Sequence, residues 1–394
     1  MTQQLNQDSF LLREITLRNV LSYGPQTSPI SLGSLNVLIG PNGSGKSNLI
    51  EAIALLRSTP TDLRAAISNS GGVSELIWKG TPKAEASIET VFSNPPHKNQ
   101  PLRHVVSFRA ENQAFRLTDE SIEDESPLEG GVKIYFGWLN GHPVLNIKEQ
   151  NKALRQGDIE ADKSILAQRK DPETYPELSY LANAYEKVRI YREWTFGRNS
   201  VFRTPQKADA RNDRLEEDFS NLGLFLNRLR RDPKAKKAIL AALADLYEGL
   251  SDFDVSVEGG TVQVFFTEGD FTIPATRLSD GTLRYLCLLA ILCDPTPPPL
   301  ICIEEPELGL HPDILPKVAD LLIAASERTQ LIVTTHSDIL VDAMTERPEA
   351  ILICEKHEGQ TEMRRLDSQK LAVWLEDYRL GELWTRGELG GTRW

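Results

Sequence analysis

Cysteine is scarce in this chain: four in 394 residues, at Cys287, Cys293, Cys302 and Cys354. None is spaced as CxxC and each sits in an apolar run, so a disulfide scaffold and a cysteine metal site are set aside for four reduced core residues. No apolar run reaches the length of a membrane span, and the opening "MTQQLNQDSFLLREI" has neither a basic n-region nor an apolar h-region. A cytoplasmic protein with no membrane partner is the expectation. Positive charge is in deficit, with 44 Lys and Arg against 56 Asp and Glu and a net charge of -12. That argues against a uniformly basic surface coating DNA and leaves room only for a local basic groove. Internal repeats and low-complexity segments are missing, and no heptad pattern persists long enough for a coiled-coil arm. What remains is ordinary globular composition, 40% hydrophobic and 25% charged, long enough for one elaborated domain or two modest ones.

Along the chain, "EITLRNVLSYG" and "SLNVLIG" read as strands, and "PNGSGKSNLIEAIALLR" as a glycine-rich loop opening a helix. Short alternating runs from about Ala84 to Ile147 predict a β-rich stretch. From about Asp158 to Gly249 the pattern turns helical, clearest in "YPELSYLANAYEKVRIYREW" and "NLGLFLNRLRRDPKAKKAILAALADLYEGL". Strands "FDVSVEG" and "TVQVFFTEG" lead to "RLSDGTLRYLCLLAILCD", a polar turn before an apolar helix. Then follow the strand "PLICIEE", a helix over 312–326, the strand "LIVTTHS" and a helix beginning near Asp338.

The loop "GPNGSGKS" fits G-x-x-x-x-G-K-[ST], with Gly40, Gly45, Lys46 and Ser47 in the fixed places between a strand and a helix. Glycines let backbone N–H groups turn inward as an anion nest, and the helix N-terminus adds positive potential. Lys46 can reach the β- and γ-phosphates of a nucleotide, and the Ser47 hydroxyl can ligate Mg²⁺. The candidate phosphate-binding set is Gly40, Pro41, Asn42, Gly43, Ser44, Gly45, Lys46, Ser47 and Asn48.

The second signal is "PLICIEEPELGLHP". A short apolar run ending in acids suits a buried parallel strand whose carboxyl end opens on a site. Alone it also reads as a strand running out into a solvated turn. Two adjacent carboxylates are costly to bury unless a cation offsets them. A phosphate loop in the same chain supplies the reason: Glu304 takes the metal side of a nucleotide-bound Mg²⁺, and Glu305 is the base for an attacking water.

Phosphate loop, "LSDGT", "ICIEEPELGLHP" and "TTHS" follow one another as in ATPases of the ABC superfamily. The chain resembles the RecF/SMC/OLD-like branch, and within it the small armless AAA-family ATPases of prokaryotes, several of which serve phage defence with a partner effector. The resemblance implies an α/β fold: a P-loop NTPase, ABC-type ATPase head with a β-rich subdomain and a helical insertion. One head would fill 1–394, with a phosphate-loop and β-rich lobe at 1–157 and a helical, signature-bearing lobe at 158–285. The Walker B and switch-histidine part would occupy 286–356, and a tail 357–394. By that likeness Ser279 and the Gly281 backbone, in place of "LSGGQ", donate to a γ-phosphate, with Asp280 turned away. His336 is the γ-phosphate-sensing switch, and "PELGLHP" the D-loop. A glutamine loop is not evident; Gln100, Gln113 and Gln206 are candidates.

In such ATPases the signature of one subunit completes the ATP site of another, which implies a homodimer sandwiching two ATPs. The expected output is control of a separate effector, nuclease or toxin, in a DNA-related or anti-phage role. The alternative is an ATPase subunit powering a transporter. A self-contained nuclease is disfavoured because too little chain follows Met344. The cluster Arg228, Arg230, Arg231, Lys234, Lys236 and Lys237 reads as a solvated helix face first and a possible DNA contact second. Trp374, Tyr378, Trp384 and Trp394 in the tail can dock either on the chain's own core or on a partner.

Overall fold

The computed structural model describes residues 11–391 apart from 95–99, 127–131, 140–141, 148–149, 154–158, 161, 196, 198–199 and 248. The chain forms two compact units. One comprises Met1–Val188, Glu349–Leu366 and Leu389–Trp394, the other Arg189–Pro348 and Asp367–Glu388. These borders cut across the four blocks read from the sequence, because stretches distant in sequence complete each unit.

In the first unit an eight-stranded antiparallel sheet runs in the order Ile30–Ser31, Leu12–Arg18, Ala86–Phe92, Leu102–Glu111, Ala114–Asp124, Ile134–Leu139, His142–Ile147 and Gln150–Ala153. Alternation builds it. Ile88, Thr90 and Phe92 are buried opposite Val106, His104 and Leu102 on the neighbouring strand, while Glu89 and Arg103 turn outward and pair at 2.7 Å. One polar network lies inside. His104 Nδ1 is 2.8 Å from the Tyr185 hydroxyl, His104 Nε2 is 3.2 Å from Glu120 Oε1, and Ser164 Oγ donates to that same oxygen at 2.6 Å. It ties the helix Pro176–Lys187 to the sheet without leaving these polar atoms unmatched. The strand Leu35–Ile39, buried throughout, runs parallel to Ile351–His357, which pairs antiparallel with Gln360–Arg365.

The second unit centres on three parallel strands, with Leu300–Glu304 between Arg189–Tyr191 and Gln330–Thr334. Its strand Leu300–Ile303 is fully buried, as a parallel strand covered on both faces must be. The helix Asp280–Leu292 packs beside Leu222–Leu229, Pro233–Leu246 and Leu315–Ala325 and buries every residue from Leu283 to Leu292. A further sheet of Gln206–Lys207, Leu250–Glu258, Thr261–Glu268 and Phe271–Pro274 completes it.

Two helices expected from the sequence are interrupted. The first ends at Lys187, and Arg189–Tyr191 becomes an edge strand because pairing with Ile301–Ile303 outweighs local helical preference. The second breaks between Leu229 and Pro233, where Asp232 caps a new helix through the N–H groups of Lys234 and Ala235. Part of the basic cluster is paired: Arg228 with Asp294 at 2.9 Å, Lys236 with Asp252 at 2.8 Å, and Arg230 with Asp254. The tail helix Leu380–Thr385 docks on the chain itself. Trp384 is buried, and a Cβ on Gly381 would meet the Asp338 carbonyl oxygen at 2.4 Å. Trp374 is exposed, and Trp394 lies outside the described residues. All four cysteines are buried free thiols, and burial pushes Cys293 up to about 11 and Cys354 up to about 12.

Candidate nucleotide site

The phosphate loop belongs to the first unit. It leaves the buried strand at Gly40, whose φ of 149° and missing side chain are both required: a Cβ there would sit 2.1 Å from the Cys354 carbonyl oxygen. Gly391 passes on another side, its own Cβ position 3.6 Å from Gly40 Cα. Gly43, at φ 77°, is at the exposed tip, where an added Cβ would meet nothing within 4 Å. Gly45 begins the helix Lys46–Ser58 without a side-chain cap, so first-turn N–H groups face outward from the helix end.

The side chains around this loop suit an anion. Lys46 is buried, its Nζ donating to the carbonyls of Gly40 at 2.8 Å and Pro41 at 3.0 Å. A phosphate would offer that ammonium a stronger, charged acceptor within the same loop. Ser44 Oγ is buried and has no hydrogen-bond partner among the described residues. Asn42, Gly43 and Ser47 are the exposed residues of the loop. Asn48 turns elsewhere: its Nδ2 donates to Ser22 Oγ at 2.7 Å. The loop is also held from behind by residues that the motif does not contain. Thr361 Oγ1 donates to the Ser44 carbonyl at 2.7 Å and reaches Ser22 Oγ at 2.6 Å, while the Tyr23 hydroxyl donates to the Gly45 carbonyl at 3.2 Å. No local spacing announces them, because their sequence separation from the loop reaches hundreds of residues.

The acidic strand end, the "LSDGT" turn and His336 belong to the second unit. Glu305 follows the strand at φ 47°, a left-handed backbone that a non-glycine residue adopts only when held there. It is held: its N–H donates to the Thr334 carbonyl at 3.0 Å, and its own carbonyl accepts from Arg284 Nη2 at 2.7 Å. The Glu304 carbonyl accepts from Trp194 Nε1 at 2.9 Å. Glu305 and His336 are brought together, with Oε1 3.7 Å from Nε2. Glu307 accepts the His336 backbone N–H at 2.7 Å, and burial raises its carboxyl pKa despite that bond. Ser279 caps the helix Asp280–Leu292, accepting from Thr282 N–H at 3.1 Å. Gly281 lies under the next loop, where a Cβ would come 3.0 Å from the Gly309 carbonyl oxygen. Asp280 is turned to Arg203 at 2.7 Å and to the Gly197 N–H at 3.2 Å.

Several residues here escaped sequence reasoning. Arg284 carries the one available signal, a lone charge in the apolar helix "TLRYLCLLAIL"; Trp194 and Arg203 carry none. Of the glutamine-loop candidates, Gln206 is spent on structure, accepting from Gly223 N–H at 2.6 Å and donating to the Phe219 carbonyl at 3.3 Å. Gln113 sits in a hairpin turn at φ 65°. Among the described residues no three of His, Cys, Asp and Glu gather as a metal cage. A Mg²⁺ held by the Ser47 hydroxyl, phosphate oxygens and water needs no such cage, so the loop's own donors suit that ion.

Comparison with known proteins gives the class. The family described as "AAA domain, putative AbiEii toxin, Type IV TA system" matches residues 35–342, and the chain belongs to it. The chain is similar to the chromosome partition protein Smc of Gloeobacter violaceus, 37% identical over 84 residues, 21% of this chain and 7% of that protein. It is also similar to the DNA double-strand break repair Rad50 ATPase of Sulfolobus acidocaldarius, 28% identical over 158 residues, 38% of this chain and 16% of that protein. The matched stretches thus span a small part of these relatives. A solved SMC head bound to the C-terminal winged-helix domain of ScpA aligns with a TM-score of 0.57 at 17% identity, covering 91% of this chain and 99% of that one. Another, derived from Pyrococcus furiosus, aligns at 0.55 and 15%, covering 93% and 99%. The fold is that of an SMC-type head, an ABC-superfamily P-loop ATPase of the RecF/SMC-like branch, a class whose members hydrolyse ATP.

Proposed function

We propose that this chain binds and hydrolyses ATP, and that its working form is a head-to-tail homodimer whose closure controls a separate effector. The observation that carries the chemistry is Glu305, locked in a left-handed backbone with its carboxylate 3.7 Å from His336. A carboxylate restrained in this way, beside an imidazole, can accept a proton from a water while the imidazole meets the developing phosphate charge. Gly40 to Asn48 form the phosphate cradle, with Lys46 neutralising the outer phosphates. Mg²⁺, held through Ser47 and Glu304, would neutralise phosphate charge and orient the bond to be cleaved. Ser279 and the Gly281 backbone are assigned to the γ-phosphate carried by the other subunit.

The reading of the output rests on likeness. The family description names a toxin of a toxin–antitoxin system, and the solved SMC head is bound to a domain of another protein. The bound domain supports a separate partner protein, the toxin–antitoxin description supports a defence role, and the relatives named for chromosome partition and break repair support a DNA-linked role over the transporter alternative. The paired Arg228, Arg230 and Lys236 weaken the case for DNA contact at that cluster. Glu305→Gln tests the core of the proposal: it should bind ATP, lose turnover and accumulate as an ATP-dependent dimer by light scattering. Parental turnover in that variant, or a monomer under saturating ATP, overturns it.

A further inference from the structure

We propose that Trp194 and Arg284 are positioning residues: together they brace the backbone of the two glutamates and tie the base Glu305 to the helix headed by Ser279. The proposal rests on the ATPase reading above and adds to it the device that aims the base.

Arg284 is only 1% exposed, in a helix otherwise apolar from Leu283 to Leu292. Burying a guanidinium is expensive unless its donors find good acceptors, and here burial pulls its pKa down to about 10. An apolar side chain would fill this position at lower cost, so directional bonding is the reason for an arginine. Its Nη2 donates to the Glu305 carbonyl at 2.7 Å, and its guanidinium carbon lies over the Trp194 ring, 4.3 Å from the centroid. Trp194 in turn stacks on Phe219, with centroids 5.3 Å apart at 28°, and its Nε1 donates to the Glu304 carbonyl at 2.9 Å. Each carbonyl of the acid pair is therefore fixed by a side-chain donor, and the two donors are in cation–π contact with one another. The strained turn at Glu305 needs such external support, since a non-glycine residue stays in a left-handed backbone only where its surroundings hold it there.

The brace also has a direction. Arg284 lies five residues beyond Ser279 on one rigid helix, roughly 7.5 Å along its axis. A shift of the Ser279 end when it engages a ligand is passed along the helix to Arg284 and so to the peptide that carries the base. Lysine cannot substitute, because its ammonium neither stacks flat on indole nor presents a planar fork.

The test uses the full chain with Arg284→Lys, Trp194→Phe and Lys46→Ala in parallel. Trp194→Phe keeps a stacking ring and loses only the Nε1 donor, so it guards against a misfolded arginine variant. Both brace variants should bind a fluorescent ATP analogue with parental affinity and keep KM, while kcat falls about tenfold, an increase of about 1.4 kcal/mol in the barrier. Arg284→Ala should lose more and regain part of its kcat in methylguanidinium but not in methylammonium. Parental kcat in both brace variants overturns the brace. Nucleotide affinity falling in step with kcat, with no recovery in methylguanidinium, also overturns it, because that pattern belongs to a purely structural role. Turnover surviving Lys46→Ala overturns the ATPase reading itself, whatever the brace variants do.

Discussion

The phosphate loop and the acidic strand end are held in shape by opposite means. At Gly40 a side chain is forbidden: backbone from Ile351–His357 occupies the space where a Cβ would go. At Glu305 the backbone is no less unusual, yet the residue is not glycine, and the conformation is held by side chains brought to it from Trp194, Arg284 and Thr334. One half is specified by what is left out, the other by what is added. The loop should therefore break when atoms are inserted, and the acidic end when donors and acceptors are exchanged.

Gly40→Ala should give the largest effect. A methyl group 2.1 Å from the Cys354 carbonyl oxygen, at φ 149°, forces the loop entry and the neighbouring strand apart. Overpacking against backbone costs about 1–3 kcal/mol and the strained dihedral about 1–3 kcal/mol more. Because Lys46 bonds to the Gly40 carbonyl, nucleotide binding should disappear together with several degrees of melting temperature. Calorimetric titration with ATP and a thermal melt check both. A variant that melts and binds as the parent does would mean that the loop tolerates added atoms, and the contrast between the halves would fail.

The same contrast explains what the sequence disclosed. "GPNGSGKS" is contiguous, and a conformation made by omission shows directly as glycines, so the loop could be read residue by residue. Much of the β-rich stretch was legible too, since alternation such as Leu102, His104 and Val106 is local. The acid pair showed itself as a chemical oddity, two carboxylates ending an apolar strand. Its support did not, because a stack of Phe219, Trp194 and Arg284 is assembled from separate parts of the chain. The strand Arg189–Tyr191 was hidden for a related reason: its partner, Ile301–Ile303, lies over a hundred positions away. The strands Ile351–His357 and Gln360–Arg365 were likewise passed over. The break at Asp232–Pro233, in contrast, was written locally as an N-cap followed by proline.

Gly43→Ala sharpens the comparison within the loop. Gly43 shares the left-handed backbone but has nothing within 4 Å, so the added methyl meets strain and no clash. The cost should be about 1–2 kcal/mol, well below that at Gly40. Expressed in nucleotide affinity, the loss is on the order of tenfold, measurable by the same titration, with the melting temperature nearly unchanged. Equal damage at Gly40 and Gly43 would show that the glycines serve flexibility in general and that the close approach at Gly40 adds nothing.

The smallest effect belongs to the acidic half, where volume is kept and only polar character changes. Glu307 accepts the His336 N–H through Oε1, and its other oxygen, Oε2, is buried with no partner among the described residues. Burial is the leading cause that raises its pKa, opposed by the N–H groups of His336 and of Glu307 itself and by the Thr335 hydroxyl, while the Glu305 charge adds to it. The sign follows from linkage. Below the unfolded value both states hold the proton and burial exacts no charge penalty. As pH rises from there through the raised folded value, the unfolded chain ionises first, and the native state loses stability relative to it. Glu307→Gln keeps an acceptor for His336 and has no proton to lose, so it escapes that loss. The variant's melting temperature relative to the parent should therefore climb as pH is raised from about 4 towards neutrality, then level off. Carboxylates remote from Glu307 titrate equally in both proteins and cancel from the difference; Glu305, which feels the Glu307 charge, adds only a smaller change of the same origin. A difference that is flat with pH, or that shrinks towards neutrality, would mean that the Glu307 carboxylate is satisfied as an ion. The acidic end would then be indifferent to the exchange of polar atoms, and the contrast with the loop would lose its second half.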